Sequence, residues 1–317
     1  MRISSFAAAT LAVAAASPAF ACASCGCTLT ADWLSQGLVA QPGTTFGLRY
    51  DVIPQTDLRT GHGEVDRSTI AFPADREIEK YTYNHYLTAS LDRQFDADWG
   101  LNLQVPFSYR PHATTDEGDT ALSYSHTGGL GDVRITGRWQ GFNTPGSING
   151  IQFGLQLPTG RIDQTFYKGP DQGQAADRGI QPGFGVTQLI LGYYRYGRLS
   201  ADFDYILQAQ GQLPLYRHDL YRPGRFGQVT AGLHYTRWRL VTPELQLNFR
   251  ASERDRGENS DTYNTGGEQL YVSPGLMGKL SGRASAFVYV QVPVYQRLVG
   301  YQLSPRATAS VGVQYRL

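Results

Sequence analysis

The chain has no excess of either charge and no long apolar run in its mature part. Its 317 residues include 28 basic and 27 acidic side chains. Without Arg2, which belongs to an N-terminal export signal, the two signs balance at 27 each. A neutral chain gives no electrostatic argument for binding nucleic acid. No stretch after residue 21 reaches the roughly 18 apolar residues that a membrane helix needs, so a helical membrane protein is excluded.

Sulfur-containing side chains are also scarce. Met1 and Met277 are the only methionines, which excludes a methionine-lined copper path. The only cysteines are Cys22, Cys25 and Cys27, and no second pair follows to complete the four ligands of a closed zinc site. Three alternatives stay open for them: a local disulfide or inert anchor, a contact with a periplasmic redox or metal-handling partner, and lipidation of Cys22.

The first 21 residues have the features of a Sec signal peptide. Arg2 supplies the positive charge, Phe6 to Ala16 form an alanine-rich apolar stretch, and Ala19-Phe20-Ala21 gives an A-x-A cleavage pattern. Cleavage after Ala21 would leave Cys22 at the new N-terminus, and cleavage after Ala23 would remove it. The signal predicts export into the periplasm.

Alternation of apolar and polar residues dominates the remaining chain. In "TTFGLRYDV" the residues Phe46, Leu48, Tyr50 and Val52 alternate with glycine, arginine and aspartate, and "WGLNLQVPFSYR" (99–110) repeats the pattern. This period of two is typical of β-strands, whose successive side chains point to opposite faces. It predicts twelve strands, near 44–53, 81–93, 99–110, 131–140, 150–157, 185–196, 199–213, 227–239, 244–252, 269–279, 284–295 and 305–317.

The strand lengths and connections favour a membrane barrel over a soluble sandwich. Many of the segments are long enough for the roughly 9–11 residues that cross a bilayer at a tilt, and their number is even. Short connections (94–98, 141–149, 197–198, 240–243 and 280–283) alternate with longer polar ones (54–80, 111–130, 158–184, 214–226, 253–268 and 296–304). The pattern predicts an antiparallel up-and-down transmembrane β-barrel with short periplasmic turns and long extracellular loops.

Two further signals agree with an outer-membrane barrel. Trp99, Trp139 and Trp238 lie beside short turns, where an interfacial aromatic girdle is expected. The chain ends in "SVGVQYRL", and its Ser310, Gly312, Tyr315 and Leu317 resemble the C-terminal signal that the barrel assembly machinery reads, except that leucine replaces the final aromatic residue. The predicted organisation is a signal peptide (1–21), a periplasmic Cys-containing segment (22–43) and a barrel (44–317).

Four short sequence segments within residues 100–186 resemble those of a known family. They are "LQVPFSYR" (103–110), "GGLGDVRITGRW" (128–139), "LQLPTG" (155–160) and "IQPGFGV" (180–186). They are similar to the outer-membrane family named after the MetA pathway of phenol degradation, which is often labelled as transporters. The resemblance implies a barrel fold and a transport role. None of the segments is a catalytic motif, and no binding residue carries over.

Assigning the apolar faces to lipid predicts a lumen lined by arginine and aspartate. The predicted lining residues are Arg49, Asp51, Asp92, Arg110, Arg134, Arg138, Asp202, Asp204, Arg250 and Arg316, with Asp132 beside them. Such charges are acceptable in a hydrated or cross-linked lumen. They would either brace a narrow barrel as an Arg–Asp network or select a small polar or anionic solute.

Catalysis and cofactor binding find little support in the sequence. Of the six histidines, only His85 and His234 fall within predicted strands, and no G-x-S-x-G motif accompanies them. His112, His126, Asp116, Glu117 and Asp119 share one predicted loop and could hold a metal, although a solvated polar loop is the favoured interpretation. We therefore predict no enzyme activity and no cofactor.

The predicted function is passage of a small solute, aromatic or anionic, through a narrow outer-membrane barrel. The predicted partners are outer-membrane lipid and the barrel assembly machinery. The alternative is a non-conducting scaffold whose cysteine segment docks a periplasmic partner.

Overall fold

The fold consists almost entirely of strands. The computed structural model describes residues 42–317. The strands are β1 (Gly43–Gly61), β2 (Gly63–Glu64), β3 (Ile78–Gln94), β4 (Trp99–Thr115), β5 (Ser123–Leu130), β6 (Val133–Trp139), β7 (Ser147–Leu157), β8 (Gln188–Arg198), β9 (Phe203–Pro214), β10 (Phe226–Tyr235), β11 (Val241–Ser252), β12 (Gly267–Lys279), β13 (Ala284–Pro305) and β14 (Thr308–Arg316). Two short 3-10 turns occupy Arg67–Thr69 and Arg178–Ile180. No helix within residues 42–317 is both long and apolar enough to cross a bilayer.

These strands form a closed antiparallel barrel with twelve strands in its wall. Each wall strand pairs with its neighbours along the chain, and β1 closes the barrel by pairing with β14 from Thr45↔Arg316 to Val52↔Ala309. β5 and β6 pair with successive parts of β4, so together they form one wall strand interrupted at 131–132. β2 only extends a hairpin with the end of β1. The predicted fold class and strand number are confirmed.

The strands extend further at the loop end than the sequence predicts. β1 continues to Gly61, β4 continues to Thr115, and β5 occupies much of the predicted loop 111–130. β13 runs through the predicted loop 296–304 with a sharp turn near Gly300, whose φ is +69°. The segment 302–305 then pairs with β1 ahead of β14. The alternation of apolar and polar residues does not predict these extensions, because outward positions such as Thr56 and Thr60 are polar. The hydrogen bonds between neighbouring strands nevertheless continue.

The two faces of the wall have opposite chemistry. Outward side chains such as Phe46, Leu87, Leu101 and Phe107 are 40–48% exposed, and their inward neighbours are mostly buried polar groups. A soluble sandwich has the reverse arrangement, whereas a membrane barrel places its apolar band outside. Beside the short turns the rings of Trp99 and Trp139 lie 6.4 Å apart, as expected for an interfacial girdle.

Part of the interior is packed by aromatic rings against glycine. Tyr289 lies so close to Gly275 that a Cβ on this glycine would meet the ring at 2.1 Å. Phe287 lies against Gly312 in the same way, at 2.3 Å. Both rings are nearly inaccessible, so the glycines are required by close approach of the rings.

Candidate functional site: the barrel lumen

Most of the predicted lining residues lie on the inward face of the wall. Arg49, Asp51, Arg110 and Arg138 are buried, with 1–8% of their surface exposed. Arg134, Asp204, Arg250 and Asp92 are partly buried at inward positions of their strands. Those on β1, β9 and β11 sit at an even spacing from other buried residues of their strands, so the alternation of the sheet positions them.

Two of the predicted lining residues lie elsewhere. Asp202 belongs to the short turn before β9, where its carboxylate pairs with Arg237 at 3.7 Å and is 41% exposed. Arg316 is exposed at the end of β14 and donates to the carbonyl of Pro42 at 3.0 Å. The prediction was wrong for Asp202 because the strand was started at residue 199 instead of 203. It was wrong for Arg316 because the inside–outside alternation stops at the barrel rim.

Two ion pairs brace the interior. Arg138 binds Asp92 through both terminal nitrogens, with Nη2 at 2.8 Å from Oδ1, and Asn102 donates to the same carboxylate at 3.0 Å. Arg49 Nε donates to Asp51 Oδ2 at 2.8 Å, and Ser310 donates to Asp51 Oδ1 at 2.5 Å. Both aspartates therefore have a guanidinium and a neutral donor, which a desolvated carboxylate needs.

Glutamine fills much of the space between these pairs. Gln212 donates to Gln156 at 2.9 Å, and Gln208 donates to Gln152 at 3.3 Å. These side chains are 2–7% exposed. On this side of the lumen, Asn102, Gln152 and Arg134 border a cavity of only about 20 Å³, so these side chains leave little free space between them.

A larger cavity of about 200 Å³ lies above, and arginine dominates its charged lining. Its charged residues are four arginines and two aspartates: Arg49, Arg110, Arg134, Arg250, Asp51 and Asp132. Arg250 lies 3.8 Å from the centre of the Phe226 ring, and Arg110 lies 5.0 Å from that of Tyr86. Planar guanidinium groups held against aromatic rings are suited to binding carboxylates or other planar anions.

The loop 158–187 folds inward and forms the roof of this cavity. Gly179, Pro182 and Phe184 line it, and the Gly179 carbonyl accepts a hydrogen bond from Arg110 Nη1 at 2.6 Å. Asp132 holds both ends of the loop, since it accepts from the amides of Gly160 and Phe184 at 3.0 Å each. The loop therefore narrows the lumen from the loop end.

None of these loop residues was among the predicted lumen residues. Ile180 and Val186 are fully buried, and they are the first and last residues of an uncharged run, "IQPGFGV", inside an otherwise polar loop. An uncharged run in a long polar connection was the available signal for a segment that packs inward.

The remaining predicted sites do not border the two cavities, or they lie outside the described residues. At the C-terminus Ser310 and Gly312 are buried on the inner face, and Tyr315 and Leu317 are exposed on the outer side. His85 faces outward and shares a hydrogen bond with Tyr50 at 2.8 Å. The signal peptide and Cys22, Cys25 and Cys27 lie outside the described residues.

Comparison with known proteins supports the fold. No family model and no curated protein matches the chain. Among solved structures, an outer membrane channel from Pseudomonas putida is 12% identical, with a TM-score of 0.65 over 88% of this chain and 97% of that one. The translocator domain of the autotransporter NalP from Neisseria meningitidis is 9% identical, with a TM-score of 0.50 over 89% and 92%. The chain is thus similar in fold to outer-membrane β-barrels, and the MetA-pathway family name stays a prediction.

Proposed function

We propose that the protein is an outer-membrane channel that passes a small organic anion through a narrow, arginine-rich lumen. The observation that carries this proposal is the cavity of about 200 Å³, in which four guanidinium groups face two carboxylates. Asp51 is engaged by Arg49, and Asp132 is engaged by amides of the inward loop. Their acceptor oxygens are therefore occupied, and the balance of the lining attracts anions.

The width of the lumen limits the solute to a small one. Twelve strands enclose less space than the 16–18 strands of porins, which leave an open channel. Here the loop 158–187 covers the cavity at one end, and the pair of Gln208 and Gln152 fills space toward the other end. The aromatic rings of Phe226 and Tyr86 beside the guanidinium groups favour an anion with a flat apolar part.

Planar-bilayer recording tests the proposal. We expect small current steps, with a reversal potential under a KCl gradient that indicates anion preference. Arg250→Gln should reduce that preference, because it removes a cavity charge and keeps a polar side chain. The matched control is Arg161→Gln, which changes an exposed arginine of the loop 158–187.

A loop-shortened variant distinguishes a channel that the loop 158–187 blocks from a barrel that does not conduct ions at all. Removing residues 163–178 should raise the conductance, since it takes away part of the roof. Absence of current in both the native and the shortened protein would refute the channel proposal. Cation preference that Arg250→Gln leaves unchanged would refute the anion-selective lining.

A further inference from the structure

Three buried side chains from three separate segments meet at the loop end of the barrel. Glu77 lies just before β3, His112 lies near the end of β4, and Asp177 lies in the loop 158–187 before its 3-10 turn. Each offers one donor atom, and these atoms lie within 4.8 Å of one another. The three side chains are 3%, 1% and 3% exposed. We call these three residues the acidic cluster.

Two members of the cluster present donor atoms that nothing in residues 42–317 satisfies. Both carboxylate oxygens of Asp177 and the Nε2 atom of His112 are buried without a hydrogen-bond partner in that range. The other ring nitrogen of His112 shares a hydrogen bond with Thr82 Oγ1 at 2.8 Å. When Nδ1 carries the proton of this bond, Nε2 presents its lone pair to the carboxylates. Metal-binding histidines are commonly held in this way.

The arginine next to Asp177 in the sequence does not pair with it. Arg178, the next residue after Asp177, pairs with Asp219 and lies 5.6 Å from the centre of the Tyr221 ring. Burial raises the pKa of Asp177 well above its ordinary value, and the charges of Glu77 and Glu79 act in the same direction. Buried carboxylates that meet one another are stabilised by a metal ion or by a proton.

The donor set indicates the class of ion. One imidazole nitrogen with two carboxylate oxygens suits a first-row divalent transition metal, whereas Ca²⁺ and Mg²⁺ prefer oxygen ligands alone. Zn²⁺ bonds to nitrogen and oxygen are about 2.0–2.2 Å long, so small side-chain rotations would bring the three donors into range of one ion.

We propose that Glu77, His112 and Asp177 bind one divalent transition-metal ion, with Zn²⁺ the best match, and that this ion ties the loop 158–187 to β3 and β4 above the lumen. Asp132 holds the two ends of the loop through Gly160 and Phe184. The ion would hold the middle of the loop, where Asp177 lies. The site does not depend on passage of any solute.

Metal titration of the full-length protein in detergent tests the site. After removal of metal with EDTA and dialysis, isothermal titration with Zn²⁺ alone should give binding that Ca²⁺ and Mg²⁺ do not reproduce. Asp177→Asn and His112→Gln should each weaken it by at least about 10–100-fold, because loss of a group that only supports a ligand already weakens metal binding by that factor. The control is Asp163→Asn, which changes an exposed carboxylate of the same loop and should leave the affinity unchanged.

The cysteine segment must be separated from this site, because thiolates also bind zinc. In a Cys22→Ser, Cys25→Ser, Cys27→Ser variant, one Zn²⁺ per chain should remain, and its X-ray absorption spectrum should show nitrogen and oxygen neighbours without sulfur. Loss of all binding in this variant would overturn the proposal. Binding that persists in Asp177→Asn would overturn it as well, and so would preference for Ca²⁺.

Limited proteolysis tests the tie between the loop and the wall. Zn²⁺ should slow cleavage within 158–187 in the native protein and have no effect in Asp177→Asn, a loop substitution whose folding can be verified by heat-modifiable mobility on a gel. Zinc binding without any change in cleavage would contradict the role assigned to the loop. If His112→Gln does not fold, Asp177→Asn still decides the outcome.

Discussion

Buried carboxylates have opposite surroundings in two regions of the molecule, the lumen and the loop end of the barrel. In the lumen Asp92 and Asp51 each lie against an arginine and accept a further hydrogen bond. In the acidic cluster at the loop end, Asp177 lies near other carboxylates, and its oxygens have no donor among the described residues. A buried charge is stable only when it is compensated. In the lumen, arginine side chains of the protein itself compensate the buried carboxylates. The acidic cluster instead has the composition of a site that binds a cation from solution.

The largest expected effect comes from removing the cation of a lumen pair. Arg138→Met leaves Asp92 uncompensated in a mostly buried position, where its side chain is 14% exposed. Breaking such a pair costs about 3–5 kcal/mol of unfolding free energy, measured by urea unfolding in lipid vesicles. Adding Asp92→Asn should recover most of the loss, because no charge then remains unpaired. A double variant as unstable as the single one would contradict the charge argument.

A smaller loss is expected when the carboxylate of the second pair becomes an amide. Asp51→Asn keeps the shape of the side chain but removes the charge that Arg49 contacts at 2.8 Å. Hydrogen bonds to charged groups contribute about 1.5–3 kcal/mol, and we expect a loss of that size in the same unfolding experiment. The loss is smaller than for Arg138→Met because the amide oxygen of asparagine can still accept a hydrogen bond from Arg49, whereas methionine offers Asp92 no donor. An unchanged midpoint and slope would mean that hydration of the lumen screens the pair.

The same chemical change in the acidic cluster should have the opposite sign. In the presence of EDTA, Asp177→Asn should slightly raise the free energy of unfolding. The substitution removes a carboxylate whose charged form is disfavoured by burial and by neighbouring acidic groups. Asp51→Asn and Asp177→Asn thus form a matched pair. Equal losses of unfolding free energy in both variants would contradict the proposed difference between the lumen and the acidic cluster.

The smallest effect is expected at the surface of the loop. Arg161 and Asp163 form a pair whose side chains are 68% and 67% exposed. Such pairs contribute little, because water screens them and both side chains lose freedom when they meet. Arg161→Gln should therefore leave the unfolding midpoint unchanged within error. A clear loss would show that this part of the loop is more strongly held than its exposure indicates.

The fold could largely be predicted from local features, which also indicate the face of the wall on which a charged residue lies. Arg49 and Asp51 fall on the inward face because each is an even number of residues from other buried positions on its strand, and Arg138 does so because it is an odd number of residues from the exposed Ile135. Asp202 and Arg316 were misassigned because alternation does not reveal where a strand meets the rim. The pairing of Arg138 with Asp92 required the register of β3, β4 and β6, which no single strand contains.

The acidic cluster could not be predicted from residues that are close together in the sequence. The sequence placed His112 in a loop with Asp116, Glu117 and Asp119 as a weak metal candidate, whereas the structure puts it on β4 beside Glu77 and Asp177. These partners come from two other connections, and no spacing rule links them. Only the inward fold of the loop 158–187 brings them together.

The sequence by itself determined the period of two, the twelve long strands and the apolar outer face. These follow from the chemistry of neighbouring residues, because a strand that crosses a bilayer must alternate between lipid and lumen. The tertiary structure decided which arginine pairs with which aspartate, which loop enters the lumen and where buried acidic groups collect. Those outcomes depend on closure of the barrel, which brings residues distant in the chain together in a space where every buried charge needs a partner.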